Sequence, residues 1–184
     1  LAQEQPQSVP KGEKPLQWYL LTSHPVDQPE DARRIVQWYA QRWLIETVFR
    51  ILKKEGLDVE GNELTDGRAL IKMCLLSLPA ALQIMHTWLV YKEADDQTPV
   101  SSVFSKSQVA CLKLLCRQVQ GNTKKQQNPY PPDGLIWAAW ILARLGGWSG
   151  LKSQRPPGVV TFIRGYRRFE LIYQGFSIKD MYKP

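Results

Sequence analysis

The sequence predicts a mainly α-helical chain, and three observations carry that prediction. Successive stretches repeat their apolar residues at helical spacing, several of them opened by a capping residue and closed by glycine. Only one short run, Gln17 to Thr22, has strand character. Hydrophobic residues make up 43% of the 184 residues, enough to give such helices a core to pack around.

Taken in order, residues 1–16 are rich in Gln, Lys and Pro, lack an apolar period and read as a disordered arm or linker. Gln17 to Thr22, QWYLLT, follows as a strand. A lone strand leaves its backbone donors and acceptors unmet, so its partner is expected from outside this chain or from a second copy. Asp27 to Lys54 is the first helix, with Asp27 as cap, Glu30 closing a capping box, Pro29 near the start and Gly56 just past the end. Gly56 to Gly67 is a glycine-rich loop. Arg68 to Glu93 is a long helix whose stretch from Met73 to Tyr91 carries no charge. That length approaches a bilayer span. Ser77, Pro79, Gln83, His86 and Thr87 interrupt it, so it reads as a central core helix, kinked at Pro79.

Ala94 to Ser102 is a polar loop in which Asp95 and Asp96 read as solvated charges. Lys106 to Gln120 is an amphipathic helix, and Gly121 to Pro132 a connector. Asp133 to Leu145 is a helix with Asp133 as cap and Gly146-Gly147 as stop, its Trp137 and Trp140 reading as packing residues. Val159 to Gln174 closes the chain with Arg164, Arg167 and Arg168 interleaved with Phe162, Tyr166, Phe169 and Tyr173. That helix reads either as a DNA-backbone contact or as the polar side of a packing helix.

The first helix has two faces. Tyr39, Arg42, Glu46, Arg50 and Lys53 fall within about a quarter-turn of one another, while Leu44, Val48, Ile51 and Leu52 lie opposite. Cations interleaved with aromatics suit phosphates and stacked bases. A carboxylate in the same stripe would repel DNA unless a divalent ion bridged it to phosphate oxygens. The competing reading is a solvated helix in which Glu46 pairs with Arg42 and Arg50, four residues to either side.

Net charge is +7, from 24 Lys and Arg against 17 Asp and Glu, which favours a polyanionic partner. Cys74, Cys111 and Cys116 lie in apolar helical text without metal-ligand spacing, and read as buried thiols in a reducing compartment. His24 and His86 read as structural. The chain opens on Leu1 in polar text without a signal-peptide pattern and reads as a piece of something longer.

The spacing Tyr39-x2-Arg42-x3-Glu46-x6-Lys53 resembles the YREK signature of the IS4-type, Tn5-like DDE transposases. Trp18-Tyr-Leu-Leu-Thr22, Pro25-Val26, Trp43, Leu145-Gly-Gly-Trp148, Arg155-Pro-Pro-Gly158 and Arg164-Gly165 extend the resemblance from about Gln17 to Phe176. It implies that residues 17–56 are the end of an RNase H-like α/β catalytic core, carrying one strand and the Glu-bearing helix. It implies that residues 57–184 are an all-helical docking and dimerisation region.

The resemblance further implies that Glu46 is the last of three carboxylates that hold two Mg2+ or Mn2+ ions for DNA cleavage and strand transfer. Tyr39, Arg42, Trp43 and Lys53 would then bind the transposon end, and Trp18 would stack on a base flipped from the duplex. Arg50, Arg164, Arg167 and Arg168 are further candidates for the DNA backbone. Partners would be double-stranded DNA and a second copy in a synaptic complex, without a membrane, in the bacterial cytoplasm at the nucleoid. None of the aspartates here has the strand context of the missing pair, so this chain alone is expected to be inactive. The alternative is a non-catalytic DNA-binding or dimerisation module that inhibits intact transposase.

Overall fold

The computed structural model describes residues 2–3, 5–53, 58, 61, 63–94, 97–151 and 154–181. Gly56, Asp95 and Asp96, and most of the predicted glycine-rich loop, lie outside them. The chain is mainly helical and divides into two compact units, Leu1–Glu46 and Thr47–Pro184.

The first unit begins with a minimal ladder. β1 (Ala2–Gln3) pairs antiparallel with β2 (Gln17–Trp18), Ala2 opposite Trp18 and Gln3 opposite Gln17. Two expectations are corrected. The arm is not structureless, since it supplies a strand and a 3-10 turn at Pro6–Ser8. The partner of β2 lies inside the chain, although β1 is so short that the ladder stops at Trp18. Tyr19 and Leu21 beyond it are exposed.

The predicted first helix is two helices, α1 (Pro29–Ala40) and α2 (Arg42–Leu52). Gln41 between them stays in the right-handed region, at φ −66° and ψ −14°. Its carbonyl accepts from the Leu44 N–H at 2.9 Å, three residues on rather than four, which tightens one turn in the manner of a 3-10 helix. The cap is Gln28 rather than Asp27. Asp31 Oδ2 accepts the Gln28 N–H at 3.1 Å, and Pro29 sits at the first helical position, where its missing N–H costs nothing. No residue of α1 is buried. On α2, Ile51 is fully buried and Val48 and Leu52 pack beside it in the core of the second unit.

The second unit is built around α5 (Leu135–Leu145), in which every residue from Leu135 to Ala143 is buried. It packs against α3 (Gly67–Glu93), α4 (Lys106–Val119) and α6 (Val159–Met181). The bounds of α3 and α4 agree with the periodicity to within a residue, whereas α6 runs seven residues past Gln174. Asp66 caps α3, accepting the Arg68 N–H at 3.1 Å, and Ser105 with Gln108 forms the capping box of α4. Asp133 does not cap α5. Gly134 holds that position and bridges to Pro99, and the Leu135 N–H donates to the Thr98 carbonyl at 2.8 Å. The orphan donor of the helix start is thus met by neighbouring backbone instead of a side chain.

The central core helix is therefore α5, not α3. The second half of α3 is buried at Ala81, Ile84, Thr87 and Val90, but Ile71, Leu75 and Leu76 in its first half are 61, 63 and 80% exposed. A helix apolar nearly all round carries no periodic signal of which part is covered. It continues through Pro79. Among the described residues α3 is the one helix long and apolar enough to cross a membrane, a property shared by core helices.

Candidate nucleic-acid interface

The first unit brings five of the sequence-predicted residues together. Trp18 sits at the end of β2 with its ring edge-on to Tyr39, centroids 5.1 Å apart. Tyr39 stands in the last turn of α1, and Arg42 opens α2 one residue beyond the tightened turn. The Arg42 guanidinium lies 5.6 Å from the centre of the Tyr39 ring and 5.0 Å from that of Trp43. It also forms an ion pair with Glu46, one helical turn further on. The interruption at Gln41 therefore leaves the motif's tyrosine and arginine in contact.

The cluster is open to solvent. Tyr39 is 37% and Trp43 56% exposed, and the Arg42 and Glu46 side chains are 46 and 44% exposed. A guanidinium between two aromatic faces is held in place and partly shielded, and its planar fork suits a phosphate. Its ion pair with Glu46, exposed as it is, contributes little to stability. It acts instead as an internal competitor that an incoming phosphate must displace.

The other candidates stand elsewhere. Arg50, in the last turn of α2, and Lys53, just past its end, belong to the second unit and are exposed. Arg164, Arg167 and Arg168 lie on the exposed side of α6. Arg168 is engaged in structure: Nη1 donates to the Leu145 carbonyl at 2.6 Å, satisfying an acceptor at the end of α5. Periodicity missed Arg144, which does the same work for α4. Its Nε and Nη2 reach the Val119 carbonyl at 3.1 and 2.9 Å, and its guanidinium lies 5.6 Å from the Trp140 ring centre.

Among the described residues no group of three His, Cys, Asp or Glu side chains is placed to hold a metal ion. Glu46, with Arg42 as its neighbour, does not fit a two-metal site by itself. Cys111 and Cys116 are buried, and burial pushes both thiols up from their ordinary pKa.

Sequence reasoning passed over the flank of the cluster. Tyr19, Trp38 and Tyr39, with Leu21, Thr22 and Ile35, line an open cleft of about 330 Å3. The signal was available in the run Trp38-Tyr39 and in the alternation of Trp18 and Tyr19. Compared with models of known protein families, the chain matches none.

Proposed function

We propose that this chain is the carboxy-terminal part of a cut-and-paste DNA transposase of the IS4 type, binding transposon-end DNA and offering Glu46 to a DDE site. The observation that carries the reading is the exposed cluster of Trp18, Tyr39, Arg42, Trp43 and Glu46 within one compact unit. Arg42 supplies a charged fork for phosphate, the aromatic rings supply surfaces for bases, and the +7 net charge draws the polyanion in. Lys53 and Arg50 add cations further along. The partners of this reading are duplex DNA and a second copy of the chain, in the bacterial cytoplasm.

The metal part of the reading needs residues from elsewhere. Glu46 is a single carboxylate, and a site for two Mg2+ or Mn2+ ions needs two more. That requirement supports the second reading, a DNA-binding and dimerisation module that pairs with intact transposase and inhibits it.

Binding of a labelled 20-base-pair duplex as a function of salt tests the proposal. Affinity is expected to fall steeply as salt rises. Arg42→Ala should weaken binding and flatten the salt dependence by about one counterion, while Glu46→Gln, which frees Arg42, should leave binding intact or tighten it. Duplex affinity indifferent to salt and to Arg42 would remove the DNA-binding reading. Supercoiled plasmid with Mg2+ separates the two forms. This chain alone should not nick it, and nicking that Glu46→Gln abolishes would show that the site is already complete.

A further inference from the structure

The cleft beside the cluster differs from the rest of the surface in its walls. Tyr19 and Trp38 face it with 79 and 47% of their surface exposed, and Tyr39 closes its inner side. Leu21 and Ile35 add apolar contact, and Thr22 stands among the lining residues with a hydroxyl. Trp38 is steadied by His24, whose ring meets it edge-on at 5.1 Å. The Thr22 Oγ1 accepts the His24 N–H at 3.0 Å and retains its own proton to donate. Tyr39 joins the cleft to the cation, since the Arg42 guanidinium lies 5.6 Å from its ring centre.

We infer that this cleft is a nucleobase site, in which an unstacked base of single-stranded DNA lies against Trp38 between Tyr19 and Tyr39 while a neighbouring phosphate meets Arg42. The inference rests on the DNA-binding reading and names the form of DNA that the site prefers. Planar aromatic walls gain most from a planar π-face, and every base has one. The hydroxyls of Thr22, Tyr19 and Tyr39 meet the polar edge of the base. An intact duplex hides its base faces in the stack, so the cleft discriminates in favour of a strand end or an unpaired stretch. The site is distinct from Trp18, which does not line the cleft and which strand alternation sends to the opposite face from Tyr19.

The experiment compares a 12-nucleotide single strand carrying 2-aminopurine, the matching duplex, and a duplex with a short single-stranded overhang. Each is titrated against the full chain and its variants. The single strand and overhang should bind more tightly than the blunt duplex, with quenching of 2-aminopurine. Trp38→Ala should weaken single-strand binding about tenfold, the loss expected of one base–aromatic stack, and leave the duplex within about twofold. Trp38→Phe should recover most of the difference. Tyr19→Ala alters a residue that is 79% exposed, so it leaves the fold intact and should reproduce part of the effect.

Equal losses for single strand and duplex, or no loss in either variant, overturn the cleft assignment. If Arg42→Ala still weakens the duplex in that case, the DNA-binding reading survives without the base site. Indifference of every DNA form to Arg42 as well removes both.

Discussion

Thr87 and Tyr166 show how few polar atoms the core admits and how each is met. Thr87 is fully buried, its Oγ1 donating to the Gln83 carbonyl at 2.9 Å and lying 2.6 Å from the Tyr166 hydroxyl. A hydroxyl has one proton, so Tyr166 must be the donor to Thr87. Burial, more than any other cause, pushes the Tyr166 phenol well above its ordinary pKa. Thr87→Val strands the Tyr166 donor and should cost about 1–3 kcal/mol in chemical denaturation. Tyr166→Phe leaves the Thr87 bond to Gln83 in place and should cost less, with the double variant falling short of the sum. The sign with pH follows. A phenol whose folded pKa is raised contributes stability below its unfolded value of about 10 and loses it as pH rises further. Tyr166→Phe should therefore blunt the alkaline loss of stability, and an unchanged alkaline limb would assign that loss to other groups.

At the scale of elements, the contact between α5 and α6 depends on two glycines. A Cβ on Gly165 would overlap the Leu142 carbonyl oxygen, and one on Gly146 would overlap that of Thr161. The end of α5 is a Schellman motif: Gly147, at φ +99°, donates to the Arg144 carbonyl and Trp148 to that of Ala143, both at 3.0 Å. Gly165→Ala raises helix propensity by about 1 kcal/mol in an isolated helix. Here it drives backbone against backbone and should lower stability by about 2 kcal/mol or more, read as a drop in melting temperature. A neutral or stabilising result would mean that α6 can move off α5 freely. The glycine pair that ends α5 was legible in the sequence, and so was the run of α3 and α4, where Asp66 and Ser105 mark the starts. The break at Gln41 was not, because no glycine or proline announces it and the change is one carbonyl accepting from three residues on. The cap of α5 was equally hidden, since a backbone carbonyl 37 residues upstream, Thr98, does what Asp133 was expected to do.

On the scale of the whole molecule, the two units differ in what holds them. Among the described residues of Leu1–Glu46 none is buried, whereas Thr47–Pro184 contains the entire buried core. Amide hydrogen exchange should therefore separate them: α1 should exchange orders of magnitude faster than Leu135 to Ala143 of α5. Binding of DNA to the first unit should slow exchange around Tyr39 and Arg42, and comparable protection of α1 and α5 in the free chain would show that both open only in global unfolding.

What the sequence determined by itself is local: the helical class, the course of most helices, and a stripe in which Tyr39, Arg42 and Glu46 recur at helical spacing. Those follow from side-chain periodicity and capping chemistry, which act over a few residues. Tertiary structure decided which apolar helix is the core, because α3 and α5 are both apolar nearly all round and only packing distinguishes them. It also decided that Trp18 meets Tyr39 and that Tyr19 and Trp38 share a cleft, since contacts between a strand and a helix 20 residues apart depend on how the chain returns on itself.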